Sequence, residues 1–183
     1  MASPTMIYQL KVTLRRSRPP IWRRIHVPSN LTLARLHDVL QGAMGWMGGH
    51  LHQFVVGERF YGTPDPDFGM DIESAQRVRL ADVLSEPGEK IVYEYDFGDD
   101  WVHDVRLERV LRAAPGTRYP VVVAGKRACP PEDCGGIYGY TDFLAAIRDP
   151  EHPEHEELLE WCGGGFDPEA FDLELANARL RRP

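Results

Sequence analysis

The stretch IVYEYDFGDDWVHDVRLE, residues 91–108, alternates in both of its halves. In the first, Ile91, Tyr93, Tyr95 and Phe97 fall on one face and Val92, Glu94 and Asp96 on the other. In the second, Trp101, His103, Val105 and Leu107 oppose Val102, Asp104, Arg106 and Glu108. A period of two in aromatic and β-branched residues marks strands. Gly98, Asp99 and Asp100 lie between the arms and supply turn chemistry. A three-residue loop pairs Phe97 with Trp101, Tyr95 with His103, Tyr93 with Val105 and Ile91 with Leu107. It gathers the apolar side chains on one face. A two-residue loop sets Asp96 opposite His103 and mixes the faces, so the three-residue loop is expected.

Outward from this hairpin, Ile7–Leu14 and Ile21–Val27 alternate as two more strands, preceded by a loose leader at 1–5. A helix follows, with Thr32 as N-cap, Leu33, Leu36, Leu40 and Met44 as its apolar stripe, and Gly42 or Gly45 to end it. His50, His52, Phe54 and Val56 share a strand face, and Phe60–Gly62 follow a turn. Residues 63–77, with Pro64, Pro66 and Gly69, read as a surface loop. Residues 78–84 read as a short strand and helical turn, and 121–123 as one more strand. Beyond Gly139 the pattern is helical: Thr141 to Arg148, a second helix from Pro153 to Gly163, and a last one with Asp167 and Pro168 at its start. The order predicts an α+β fold, a β-grasp-like roll of mixed and antiparallel strands with one packed helix and a C-terminal helical segment. One domain over 1–183 is expected, with the β-rich roll at 7–125 and a Cys/Pro/Gly loop and helices at 126–183.

The formal charge of −7 argues against phosphate-backbone binding by the whole surface. The charge is uneven, however. Residues 1–37 hold seven basic side chains and no acid, while the remainder holds 14 basic and 28 acidic. Arg15, Arg16, Arg18, Arg23 and Arg24 are therefore candidate contacts to a protein or nucleic acid partner. The plainer account is charge guarding a strand edge. No apolar run reaches the ~18 residues of a membrane span, and no signal-peptide core precedes Ile7. Three cysteines make an odd count, which fits a reduced, cytoplasmic protein.

Three groups of residues carry candidate chemistry. Cys129 and Cys134, on the loop CPPEDCGG, are spaced to hold one edge of a zinc site, with His50, His52 and His103 as candidates to complete it, His52 and His103 foremost. The plainer account is a rigid loop with reduced, partly buried thiols. His52 and His103 with Asp99 or Asp100 would make a hard-metal or acid–base site if the strands bring them together. His152 and His155 among Glu151, Glu154, Glu156 and Glu157 lack the HExxH pattern and read as a solvated helix face. Cys162, beside Trp161, reads as packing. The triplet Asp96-Phe97-Gly98 is not a kinase motif, because no HRD loop or VAIK strand accompanies it. No GxSxG elbow, Walker loop or dinucleotide fingerprint is present.

Four motifs in order, HLHQF at 50–54, YEYDFGDDWVHDVRLE at 93–108, CPPEDCGGIYGY at 129–140 and GGFDPEAFD at 164–172, resemble the plasmid pRiA4b ORF-3-like family. That family includes insertion-element passenger proteins. The resemblance covers residues 7–177 and implies an α+β fold without a settled activity. Its motif positions fall on His50, His52, Asp96, Gly98, Asp99, Trp101, His103 and the run from Pro130 to Gly135. The expected ligand-binding set is then His50, His52, Asp96, Asp99, Asp100, Trp101, His103, Glu132 and Asp133, in a groove between the hairpin tip and the CPPEDCGG loop. The leading expectation is a non-enzymatic accessory module that binds a protein segment or nucleic acid. The alternatives are a metal-dependent, hydrolase-like enzyme using inward histidines and tip carboxylates, and a protein with a structural zinc.

Overall fold

Alternating residues in the N-terminal half make strands, and the strands assemble into one sheet. In the computed structural model, which describes residues 5–64 and 72–181, the elements run β1 (Met6–Leu14), β2 (Trp22–Pro28), α1 (Leu33–Met44), β3 (His52–Val56), β4 (Arg59–Gly62) and β5 (Ile72–Ser74). There follow α2 (Leu80–Val83), β6 (Lys90–Tyr95), β7 (Trp101–Arg112), β8 (Val121–Lys126), α3 (Gly136–Arg148), α4 (His155–Trp161) and α5 (Leu173–Leu180). The sheet order is β5-β4-β3-β6-β7-β1-β2-β8. Every neighbouring pair is antiparallel except β4 with β5. The protein is an α+β fold with a mixed sheet.

The inner face of the sheet carries rows of side chains that run across the strands. One row is Phe54, Tyr93, His103 and Leu14; the next is Ile91, Val105, Val12 and Arg23. Helix α1 buries Leu33, Leu36, Val39, Leu40, Ala43 and Met44 in the same core. Its ends are capped as the sequence predicts. The Thr32 hydroxyl accepts from the Arg35 amide at 3.3 Å, and Gly45 takes the left-handed conformation at φ 101°. Helix α5 docks on edge strand β8, where the Asn177 amide both donates to the Val122 carbonyl and accepts from its N–H, at 2.9 Å each. A side chain thereby satisfies backbone groups that a sheet edge leaves open.

The hairpin differs from expectation in register. Tyr95 pairs with Trp101, Tyr93 with His103 and Ile91 with Val105, so the connection is five residues, Asp96–Asp100. The expected partners are each displaced by two, which preserves the faces: Ile91, Tyr93, Tyr95, Trp101, His103, Val105 and Leu107 are all buried. Asp96 is the cause. It leaves the ladder at φ 56°, and its Oδ1 accepts from the amides of Gly98 at 3.0 Å and Asp99 at 3.4 Å, an Asx turn. Phe97 is thereby turned out and 44% exposed.

Other boundaries move too. The loop expected over 63–77 contains β5 within its described part; residues 65–71 and the leader at 1–4 lie outside the described residues. Helix α3 begins at Gly136, and Thr141 is an interior residue whose hydroxyl donates to the Ile137 carbonyl. Asp167 makes a turn, and the last helix is capped by Asp172, which accepts from the Leu175 amide at 2.8 Å. Among the described residues no helix is long and apolar enough to cross a membrane.

Candidate functional site

Three segments meet at the hairpin tip. The indole of Trp46 donates to the Pro130 carbonyl at 2.9 Å, and the Met47 amide donates to Glu132 at 3.0 Å. The Tyr95 hydroxyl donates to the other Glu132 oxygen at 2.5 Å. The Gly135 amide donates to Asp99 at 3.3 Å. At Gly136, φ is 68°, and a Cβ would fall well inside contact distance of the Asp99 carbonyl oxygen, so only glycine lets the tip lie on this loop. The expected groove is therefore a closed contact.

His50 sits at this junction. Its Nδ1 is 3.6 Å from Asp96 Oδ2, and its Nε2 is 3.2 Å from Asp133 Oδ1. Among the described residues, these three are the one group of at least three His, Cys, Asp or Glu side chains whose ligand atoms lie within 4.8 Å of one another. Asp96 and Asp133 both adopt positive φ, 56° and 61°, which presents their short side chains toward the imidazole. Asp100 stays at the rim, 3.8 Å from Arg16.

The other expected ligands do not join them. His103 is fully buried, edge-on to Trp46 at 5.4 Å, and among the described residues neither ring nitrogen makes a well-formed hydrogen bond. Burial pushes its pKa down to about 4, so the ring is neutral at pH 7. Trp101 is also fully buried and cannot meet a ligand without unfolding the tip. His52 stacks instead on His37 of α1, with ring centroids 3.5 Å apart. The His37 Nδ1 lies 2.7 Å from the Tyr93 hydroxyl, and burial holds this histidine down near pKa 3. His37 is absent from the sequence-derived set. Its spacing of four from Leu33 and three from Leu40 places it on the inner side of the helix, and that was the available signal.

The cysteines also diverge. Cys129 Sγ packs on Met44 Sδ at 3.4 Å and lies 3.7 Å from Arg23 Nη2. Cys134 faces a different cleft. Burial raises the two thiols to about 11 and about 12, so both are protonated at neutral pH. The structure does not gather Cys129, Cys134, His52 and His103 into one ligand set, because the sheet rows and the CPPEDCGG loop carry them to separate places.

Most of the basic N-terminal side chains are committed. Arg15 meets Asp104 at 2.7 Å, and Arg24 meets Glu108 at 2.6 Å. Arg23 is 2% exposed and donates to the carbonyls of Ala43, Trp22 and Lys126, with its guanidinium 4.4 Å from the Phe171 ring centre. It is an internal strut. Arg16 and Arg18 alone of the five are exposed.

A cleft of about 600 Å³ opens between α3 and α4, beside the CPPEDCGG loop. Phe143, Leu158 and Trp161 wall it, with Trp161 edge-on to Phe143 at 5.8 Å and 48% exposed. Asp133, Asp142, Glu154 and Glu157 rim it, and among the described residues no Lys or Arg lines it. His155 pins α4 to α3 through the Ala146 carbonyl at 2.9 Å. Glu151, Glu154, Glu156 and Glu157 are all exposed, as a solvated face requires, and the pairing of α4 with α3 sets Glu154 and Glu157 at the rim of the cleft.

Residues 6–175 match the plasmid pRiA4b ORF-3-like protein family. The chain belongs to that family. It is 42% identical over 173 residues to the uncharacterized protein y4hQ of Sinorhizobium fredii, across 93% of this chain and 89% of the relative. The crystal structure of MM3350 from Methanosarcina mazei Go1, a protein of unknown function, has the same fold. It superposes with a TM-score of 0.86 at 38% identity, covering 94% of this chain and 98% of that one.

Proposed function

We propose that the protein is a non-enzymatic binding module whose ligand is a protein segment carrying Lys or Arg beside apolar side chains. The observation behind this is the α3/α4 cleft, with aromatic and aliphatic walls and four carboxylates at the rim. Apolar walls supply affinity and the acidic rim selects the sign of the partner. Asp133 belongs both to this rim and to the His50 junction. The segments joined at that junction, and the start of α3, expose Leu51 together with Met47, Phe97 and Tyr138, the last three of types enriched at protein interfaces. An extended segment can lie along this face. The plasmid in the family's name supports an accessory role carried with mobile DNA. A nucleic acid ligand is disfavoured, since Arg15, Arg23 and Arg24 are already engaged.

The test is fluorescence anisotropy with labelled 12-residue peptides that vary charge and aromatic content. Basic peptides with an apolar anchor bind, salt weakens them, and the Asp142→Asn/Glu157→Gln variant loses most of the affinity. Equal binding of acidic peptides, or an unaffected variant, would refute the reading.

A second reading rests on His50, Asp96 and Asp133, whose ligand atoms lie close enough for one divalent cation. Elemental analysis of untagged protein tests it. Metal lost in His50→Ala but kept in Cys129→Ser/Cys134→Ser supports this site. Loss only in the cysteine variant moves the metal to the thiols, and metal-free wild type removes both.

A further inference from the structure

Helix α3 turns its opposite faces to two clefts of opposite charge. Asp142 and Phe143 look into the acidic one, whereas Ile137, Tyr140, Thr141, Leu144 and Arg148 line a second cleft of about 270 Å³. At 100° per residue these two sets lie on opposite sides of the helix. The second cleft is lined by Arg16, Arg18, Arg127 and Arg148, and by no Asp or Glu among the described residues.

The charge there is poorly compensated. Arg18 and Arg148 have no ion-pair partner among the described residues, and Arg16 reaches Asp100 only at 3.8 Å, both being well exposed. Arg127 is 5% exposed and pairs through Nη1 with Glu169, while its Nε has no partner. The Tyr140 hydroxyl, also buried, has none either. Two polar atoms buried beside the cleft thus have no partner among the described residues, and such atoms are rare in folded proteins. Glu169 meets the charge of Arg127, so the free positive charge of the cleft comes from Arg18 and Arg148, with Arg16 only loosely paired. The hydroxyls of Ser17 and Thr141 are already bonded to the carbonyls of Leu14 and Ile137, so guanidinium groups dominate the recognition.

We propose that this cleft binds a phosphate dianion, free or as the head of a small phosphomonoester. Guanidinium forks match the tetrahedral oxygens of phosphate and bind it bidentately. The volume admits a phosphate with a small substituent. A polynucleotide is the poorer fit, because it needs a track of uncommitted cations and the neighbouring Arg15 and Arg24 are neutralised by Asp104 and Glu108. The site is separate from the peptide cleft and does not depend on it.

Isothermal titration of the full chain tests it, with inorganic phosphate, glycerol 3-phosphate and adenosine 5′-monophosphate as probes. Saturable, salt-weakened binding is expected. Arg18→Gln and Arg148→Gln each lower affinity by about tenfold, since each removes charge-assisted hydrogen bonds. The substituted arginines are exposed, so the fold persists, as circular dichroism checks. Arg109→Gln, an exposed arginine outside the cleft, leaves binding unchanged. Preference for inorganic phosphate over both esters identifies free phosphate as the source; the reverse order identifies a monoester. No saturable binding of any probe, or wild-type affinity in both variants, overturns the proposal. So does length-dependent binding of 5′-phosphorylated oligonucleotides that exceeds the mononucleotide.

Discussion

Replacing Arg23 by Ala should destabilise the fold far more than replacing its neighbour Arg24. Arg23 donates from Nε to the Ala43 carbonyl at 3.0 Å and from Nη1 to the carbonyls of Trp22 and Lys126 at 2.9 and 3.1 Å. It thus ties the last turn of α1 to β2 and β8. The Ala43 carbonyl also lies at the helix C-terminus, where a cation is favoured. Removing the side chain takes one charge-assisted hydrogen bond from each of three carbonyls, at about 1 kcal/mol or more each. It also removes the guanidinium from Phe171 and leaves a void where the aliphatic stem packed, and relief of the buried charge offsets part of this. A net loss of about 3–4 kcal/mol follows. Arg24, in a partly exposed pair with Glu108, should cost about 1 kcal/mol. With a urea m-value of about 2 kcal/mol/M, the Arg23→Ala midpoint falls by roughly 1.5–2 M and that of Arg24→Ala by roughly 0.5 M. Urea titrations followed by far-ultraviolet circular dichroism read both. Arg23→Met, which keeps the stem but not the bonds, should fall between wild type and Arg23→Ala. Should Arg23→Ala cost no more than Arg24→Ala, the strut does not exist and Arg23 is available to a partner.

Gly136→Ala forces a Cβ against the Asp99 carbonyl and into positive φ, so it should cost at least about 2 kcal/mol and separate the tip from the loop. A thermal melt, with proteolysis at residues 96–100 as a local probe, checks it; a wild-type melt would contradict the contact. Stability should also fall between pH 6.5 and 5. His103, at about 4 when folded against about 6.5 when unfolded, is neutral in the native core, so the unfolded chain takes up more protons in this window. The stabilisation is complete above pH 6.5 and is lost toward pH 4, with a limiting slope of about 1.4 kcal/mol per pH unit from this residue. His37 acts in the same direction. His103→Phe should make the pH profile shallower. A profile flat from pH 7 to 5 in the wild-type protein would show that the histidines are not held neutral.

Local pattern was enough to specify the strands other than β5, the capped helix α1 and the α+β class. Alternation and end-capping are properties of a few adjacent residues, and they act before any distant contact forms. Even the two-residue error in the hairpin left Ile91, Tyr93, Trp101 and His103 on the buried face, since side-chain direction depends only on parity. The candidate sites depended on contacts that no local pattern contains. His50 meets Asp133 across 83 positions, and Arg15 and Arg24 are neutralised by acids on β7 more than 80 positions away. Glu154, Glu157 and Trp161 become a cleft only when α4 docks on α3. Strand β5 exists only because β4 offers it a free edge. The sequence by itself therefore determined the α+β class, most of the elements and the parity of their faces, but not the exposure of Phe97 or the burial of Arg23. Only the tertiary structure decided which charges find partners and which remain free, because an ion pair depends on the three-dimensional neighbour and not on the periodicity of the chain.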